Sequence, residues 1–318
     1  MKWRRGASDR ARQGTDPNVT IERAGRTSRG GFGGLGGGGG LPIPMGGIGK
    51  LGLPGILIIV FVAFVLPRLT GGGGGLPIDL GGMQGLPAAV EPRQGEDPLA
   101  GAPASEAELV DFIVFVFTDV QTFWRGQFST GGEQYADAKL RIFRSGTVES
   151  RCGTAPAEAG PFYCRLDRTV YVNPAFFSEL DQRFGAPGDF AQAYVIAHEM
   201  GHHVQQISGI FDEADRLRGE KPDDAADISV RSELQADCLA GVWAHATYRS
   251  DQLDEGDREE ALRAAASVGD DTIQQRSTGR VDPESFTHGS AEQRERWLRS
   301  GFDDGRTDSC DTFAADNL

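Results

Sequence analysis

The sequence predicts an α+β protein: a mostly helical domain with a small β-sheet, preceded by one transmembrane helix and a glycine-rich linker. Three observations support this fold class. Glycine is concentrated before the domain, since 22 of the 45 glycines lie between Gly30 and Gly85. A single uncharged apolar run, over residues 51–67, interrupts that glycine-rich part. From residue 104 onward, apolar residues recur mainly at helical spacing, and β-branched alternation occurs in two short stretches only.

The distribution of charge excludes one class of partner. Residues 1–50 carry nine Lys or Arg and three acidic residues, whereas the rest of the chain carries 23 basic and 43 acidic side chains. The acidic part would repel phosphate groups, so we expect no nucleic-acid partner.

The N-terminal segment over residues 1–50 is predicted to be disordered. Its first 30 residues are polar and basic without apolar periodicity, and residues 31–49 are almost entirely Gly with Leu, Pro and Ile. Such a composition cannot bury enough apolar surface to offset the entropy of ordering the chain.

The apolar run predicts a transmembrane helix over residues 51–69. It is flanked by Lys50 and Arg68, whose cationic groups can reach the membrane surface. It is shorter than the 20 or so residues that a spanning helix usually needs. A cleaved signal peptide and a core helix are the alternatives. The basic excess before the run predicts a cytoplasmic N-terminus and an extracytoplasmic domain. Residues 70–103, rich in Gly and Pro, are predicted to be a flexible linker.

The folded domain is predicted to span residues 104–318. A capping box, Ser105 to Glu108, begins a long buried helix that ends near Trp124. Alternation and β-branching predict strands over residues 139–148 and 169–173. Further helices are predicted over 189–208, 225–249, 256–268 and 290–301, the last of them opened by a second capping box, Ser290 to Gln293.

The motif His198-Glu199-x-x-His202 carries the clearest chemical signal. On a helix, positions i and i+4 share a face, so both imidazoles can bind one metal ion. Glu199 would then lie beside the metal-activated water as a general base. Composition alone gives about 0.005 expected occurrences of this pattern in the chain. The preceding turns are strongly apolar, which predicts a buried helix, and buried histidines need partners. We therefore predict a zinc site.

Glu233 and Asp237 are the best candidates to complete that site, because catalytic zinc takes three protein ligands and a water. They also lie at i and i+4 of a predicted helix, whose opposite face carries Leu234, Leu239, Val242 and Trp243. Two carboxylates on the buried side of a helix need a compensating partner. We predict Glu233 as the third ligand, and Asp237 as acceptor of the distal N–H of a zinc-bound histidine. The alternative is that both face solvent beside Arg231.

Four cysteines allow three disulfide pairings. The short separation favours a bond between Cys152 and Cys164, which leaves Cys238 to join Cys310 and attach the C-terminal tail to the Glu233 helix. A buried free thiol at Cys238 is the alternative.

The chain resembles the bacterial neutral zinc metallopeptidase family, membrane-anchored zinc peptidases with an AHExGHH helix. The matching stretches are Cys152-Gly, Gly160–Cys164 with Thr169–Val172, Gly188–Gln205, Glu233–Trp243, Gly269–Asp271 and His288–Arg294. The resemblance implies a zincin-like metallopeptidase domain with His198, His202 and Glu233 as ligands and Glu199 as the catalytic base. It also implies a bacterial cell membrane as the location. Asn173 departs from the family pattern, which has an aspartate there.

The resemblance further implies zinc-dependent hydrolysis of a peptide or protein substrate. Besides zinc, an oxyanion stabiliser is needed, and the candidates in order are His288, His203 and Tyr194. His288 lies at a helix start, where it can project into a cleft, whereas His203 is more typical of a supporting residue around the site. The predicted strand at 169–173 could pair with a substrate peptide. A zinc-binding module that binds extracytoplasmic partners without turnover is the alternative function, and a non-peptide hydrolase is a third.

Overall fold

The computed structural model describes residues 1–3, 5–22, 97–100, 102–144 and 146–318. Its helices are α1 (Asp9–Arg12), α2 (Ala104–Thr130), α3 (Ala175–Gln182), α4 (Asp189–Ile207), α5 (Ile210–Glu220), α6 (Ala225–Arg249), α7 (Asp257–Ser267), α8 (Asp270–Thr278) and α9 (Ala291–Asp304). The strands are β1 (Val19–Ile21), β2 (Lys139–Ile142), β3 (Thr147–Ser150), β4 (Gly153–Pro156), β5 (Phe162–Cys164) and β6 (Thr169–Val172). The domain is α+β and mostly helical, as predicted.

The small sheet has the strand order β1-β2-β6-β5. The first three strands run parallel, and β5 pairs antiparallel with β6. The predicted strand over 139–148 is interrupted, because β3 pairs with β4 in a separate hairpin. The disulfide Cys152–Cys164 ties the turn of this hairpin to the end of β5.

The helices enclose the core around α4. This helix packs against α2, α6 and α7, and α9 packs along α6. The contact between α6 and α9 is close, because a Cβ atom added at Gly301 would lie 1.9 Å from the carbonyl oxygen of Cys238. The disulfide Cys238–Cys310 attaches the C-terminal tail to α6. Both predicted disulfides are present, and the alternative of a free thiol at Cys238 is wrong.

Two predictions about helix ends differ in outcome. The capping box at Ser290 forms: its Oγ accepts from the amide of Gln293, whose side chain accepts from the amide of Ser290. The box at Ser105 does not form, because α2 begins two residues earlier than the box requires, with Pro103 at the N-cap, which places Ser105 inside the first turn. That helix also continues to Thr130, beyond the predicted end at Trp124.

The prediction of disorder over residues 1–50 is wrong for residues 1–3 and 5–22, whereas residues 23–50 lie outside the described part. Strand β1 extends the sheet beside β2. The Met1 ammonium lies 3.0 to 3.2 Å from carboxylates of Asp189, Asp254 and Asp257. Charged groups of this segment pair with acidic residues that lie far along the chain. Local composition does not reveal such pairing, so the polar segment was predicted to be disordered.

The prediction of a single-pass membrane protein is also wrong. Among the residues that the structure describes, no helix has the length and apolarity needed to cross a membrane. Residues 51–69, where the transmembrane helix was predicted, lie outside the described part. The predicted topology placed residues 1–50 and 104–318 on opposite sides of a membrane, yet β1 and β2 are neighbours in one sheet. The prediction was based on the apolarity of residues 51–67 alone, and this run is shorter than the usual transmembrane helix.

Candidate metal centre

Helices α4 and α6 cross at close range beside the HExxH motif. A Cβ atom at Gly201 would lie 2.9 Å from the carbonyl oxygen of Ala236, so only glycine permits this approach without movement of a backbone. The crossing brings His198 and His202 on α4 next to Glu233 on α6.

The three predicted ligands converge. Nε2 of His198 lies 3.2 Å from Oε2 of Glu233, and Nε2 of His202 lies 3.5 Å from Oε1 of the same carboxylate. One donor atom from each residue lies within 4.8 Å of the others. Ligands bound about 2.0–2.1 Å from a tetrahedral zinc lie about 3.3 Å apart, so the observed donor set fits this ion in both chemistry and spacing.

His198 is held from behind by a buried polar network. Its Nδ1 lies 2.7 Å from Oδ1 of Asp237, which also accepts from the Tyr194 hydroxyl at 2.6 Å. Arg294 on α9 donates to both oxygens of Asp237, at 2.9 and 3.0 Å. Burial raises the pKa of Asp237, but the charges of Arg294 and His198 outweigh burial and lower that pKa to about 2. The carboxylate therefore stays ionised and fixes the Nδ1–H tautomer of His198.

His202 is oriented by an amide. The Nε2 group of Gln205 donates to the carbonyl oxygen of Ser232 at 2.7 Å and to Oε1 of Gln235 at 3.0 Å. Its Oε1 must therefore face Nδ1 of His202, 2.8 Å away. Since an amide oxygen only accepts, Nδ1 carries the proton and Nε2 keeps its lone pair toward Glu233.

Glu199 lies between the metal-binding face and strand β5. It is 8% exposed, and burial raises the pKa of its carboxyl group, against the lowering effect of the nearby histidines and of the Tyr163 backbone on β5. A carboxylate with a raised pKa is suited to accept a proton and return it during a reaction.

His288 lies at the open side of the site. Its Nδ1 lies 3.1 Å from Oδ1 of Asp270, and its side chain is 44% exposed. Partial burial of the ring lowers the pKa of His288, but the hydrogen bond to Asp270 and the charge of Glu233 outweigh this and raise it. Asp270 also accepts from the amides of Thr287 and His288, both at 2.7 Å, so the loop before α9 is held firmly.

Two of the three oxyanion candidates, His203 and Tyr194, are buried. His203 is fully buried, with Nε2 2.7 Å from the Ala136 carbonyl oxygen and Nδ1 3.0 Å from the Tyr163 hydroxyl, so its polar contacts lie away from the three ligands. Tyr194 is 2% exposed and its hydroxyl is bound to Asp237, so it cannot face a substrate. Of the three oxyanion candidates, His288 alone keeps an exposed ring.

The strand predicted to pair with substrate is also corrected. Strand β6 is internal, because β2 and β5 occupy its two sides. The edge that lies beside α4 is β5, which within the described residues is paired on one side only.

Sequence reasoning assigned no role to Gln205 or Arg294. A signal existed for each. Gln205 lies three residues after His202, on the same face of the helix. Arg294 shares its helix face with Trp297, Leu298 and Gly301, which is an apolar face where an arginine needs a buried partner.

Comparison with known proteins agrees with this geometry. The family model described as "Putative neutral zinc metallopeptidase" matches residues 1–313. The chain is 44% identical over 210 residues to "Uncharacterized protein YpfJ" of Escherichia coli (strain K12), which covers 66% of this chain and 73% of that protein. It is 46% identical over 195 residues to "Uncharacterized protein Mb2605" of Mycobacterium bovis, a match that covers 58% of this chain and 65% of that protein. No solved structure is significantly similar. The match over nearly the whole length shows that the chain belongs to the neutral zinc metallopeptidase family.

Proposed function

We propose that the protein is a zinc-dependent peptidase in which His198, His202 and Glu233 hold the metal and Glu199 is the general base. The convergence of two imidazole nitrogens and one carboxylate at the spacing of zinc ligands carries this proposal. Intact Glu199 beside them favours catalysis over metal storage, because a site that only holds zinc has no need of an additional buried carboxylate there.

Bound zinc would polarise the scissile carbonyl and lower the pKa of a water molecule. Glu199 takes a proton from the attacking water onto its carboxylate and delivers it to the nitrogen of the leaving amine. His288, oriented through Nδ1 by Asp270, offers its Nε2–H to the carbonyl oxygen as negative charge develops there.

A peptide substrate can bind by extending the sheet at β5. This strand contacts α4, and its residue Tyr163 lies beside Glu199. Backbone pairing at a sheet edge holds a peptide extended and presents successive carbonyl groups at fixed positions, independent of sequence.

The test compares the full chain with its Glu199→Gln variant, both loaded with zinc, on a peptide library read by mass spectrometry. We expect cleavage by the wild type and a loss of at least about 1000-fold in kcat/KM for the variant, with zinc content unchanged. A His288→Gln variant should lose about 10- to 100-fold, mainly in kcat. Absence of cleavage by folded, zinc-loaded wild type would favour a binding module on the same fold.

A further inference from the structure

Two arginines beside the candidate metal centre share a single carboxylate. Arg165 follows β5 directly, and Arg218 lies near the end of α5. Arg165 Nη1 lies 2.6 Å from Oδ2 of Asp215, and Arg218 Nη1 lies 2.9 Å from Oδ1 of the same residue. One carboxylate cannot neutralise two guanidinium groups, so these three side chains together carry a net positive charge in a chain whose net charge is −14.

Phe211 links these arginines to the metal-binding face. On α5, Phe211, Asp215 and Arg218 lie at i, i+4 and i+7, which places them on one side of the helix. The Phe211 ring stacks on the ring of His202, with centroids 5.9 Å apart and an interplanar angle of 28°. The guanidinium carbon of Arg165 lies 5.9 Å from the centroid of the same Phe211 ring.

Arg218 approaches the site from the side of α6. Its Nη2 lies 3.5 Å from Oγ of Ser229, which is one helical turn before Glu233 on the same face. Burial lowers the pKa of Arg218, and the negative charges that oppose this include Asp215 and Glu233. The side chain keeps 20% of its surface exposed and that of Arg165 keeps 37%, so solutes can still reach both.

We propose that Arg165 and Arg218 form a subsite that binds a carboxylate of the substrate, on the Phe211 side of His202. This inference rests on the proposed peptidase function and narrows its substrates to peptides with an acidic group near the scissile bond. The carboxylate can be an Asp or Glu side chain or the C-terminus of the peptide, since guanidinium groups bind both in the same bidentate manner.

Two other acidic residues of α5 are paired with a different arginine, Arg216. Glu213 pairs with Arg216, which also contacts Glu220. All three are exposed, and Arg216 lies about 140° round the helix from Phe211. Arg216 therefore provides a matched control: an arginine of the same helix, with acidic partners, on another face.

The test measures peptide binding to the full-length, zinc-loaded Glu199→Gln protein by fluorescence anisotropy. The probes are labelled peptides of about eight residues with one Glu at successive positions, their Gln counterparts, and each with a free or amidated C-terminus. We expect one Glu position, or the free C-terminus, to improve Kd by at least about tenfold. A response to one Glu position identifies a side-chain carboxylate as the ligand, whereas a response to the free C-terminus identifies the terminal carboxylate.

Arg165→Gln and Arg218→Gln should each reduce this preference to about threefold or less, Arg218→Lys should keep part of it, and Arg216→Gln should leave it unchanged. Equal Kd values for the acidic and neutral peptides in the parent protein would overturn the subsite, and so would the absence of binding of any peptide. A preference for the acidic peptide that survives both glutamine substitutions would overturn it as well. Wild type that cleaves neutral and acidic peptides equally would overturn the subsite and leave the proposed function standing. Carboxylate-selective binding without any cleavage would support the subsite and contradict the proposed function.

Discussion

At the scale of single residues, Gln205 decides which nitrogen of His202 is free for the metal. Replacing it by Met removes the acceptor at Nδ1 and keeps the side-chain volume, so His202 can adopt the other tautomer or rotate. We expect Gln205→Met to weaken zinc binding by about 10- to 100-fold. Titration against a fluorescent zinc chelator, well below the unfolding temperature, measures this.

The neighbouring Gln206 offers the control for that experiment. Its side chain is half-buried, and it lies on another face of α4, about 100° from Gln205. Gln206→Met should leave the zinc Kd within about twofold of wild type. Equal zinc affinities for the two variants would show that Gln205 does not orient His202.

The lowered pKa of His203 should make the free energy of unfolding depend on pH. Burial lowers its pKa to about 4, from 6.5 in the unfolded chain. As the pH falls from 6.5 to 4, the unfolded state binds a proton that the folded state does not, so the free energy of unfolding decreases. The loss reaches about 3 kcal/mol at pH 4 and is absent above pH 7.

A His203→Gln variant isolates this contribution, because Gln can still donate to the Ala136 carbonyl but does not titrate. Urea unfolding of both proteins between pH 7 and 4 should show their stability difference shrinking by about 3 kcal/mol toward the acidic end. Parallel pH curves would mean that His203 is protonated in the folded state or lies in a wetter environment.

At the scale of elements, the approach of α6 and α9 supports the site from behind. Gly301→Ala would push a methyl group into the carbonyl of Cys238, and neither backbone can move without disturbing the helix pair. We expect a destabilisation of about 3 kcal/mol or more. Zinc affinity should also fall, because α9 carries Arg294, which holds Asp237.

Gly126→Ala on α2 is the matched control, since nothing lies within 4 Å of its added Cβ. There, Ala should stabilise the protein by up to about 1 kcal/mol through helix propensity. Thermal unfolding and zinc titration of both variants compare the two effects. A Gly301→Ala protein as stable as wild type would show that the helices do not pack this closely.

The main helices were predictable because their apolar residues repeat locally, and α6 begins and ends as predicted, at residues 225 and 249. Strand β1 was not predictable, because three residues with two apolar side chains gain stability only beside β2, more than 100 residues away along the chain. Strand β5 was not predicted for the same reason: strand pairing depends on contacts that no local pattern encodes.

At the scale of the whole molecule, the site was predictable where its geometry is local or follows one helix face. The HExxH motif and the Glu233–Asp237 pair are such cases. The contributions of Arg294 and Tyr163 were not, since they arrive from α9 and β5 and depend on how the helices and the sheet assemble. The positive patch at Arg165 and Arg218 likewise joins two elements that the sequence separates by more than 50 residues.

The N-terminal segment should contribute to the stability of the domain, because it completes both the sheet and the core. Ile21 on β1 is 2% exposed, and the Trp3 ring contacts Phe112 of α2 edge-on, with centroids 5.4 Å apart. Ile21→Ala should therefore lower the free energy of unfolding by about 2–5 kcal/mol. Thr20→Ala, at an exposed position of the same strand, should change it by less than about 1 kcal/mol.

Removing residues 1–22 while keeping residues 23–318 should have a larger effect than either substitution. The shortened chain loses β1, the ion pairs of Met1 with Asp189 and Asp257, and the contacts of Arg12 with Asp97. Since Asp189 begins the helix that carries His198, Glu199 and His202, we expect a lower unfolding temperature and weaker zinc binding together. Differential scanning calorimetry with and without zinc measures both. A shortened chain with unchanged stability would mean that the segment only rests on the domain, whereas a coupled loss would establish residues 1–22 as part of the peptidase fold.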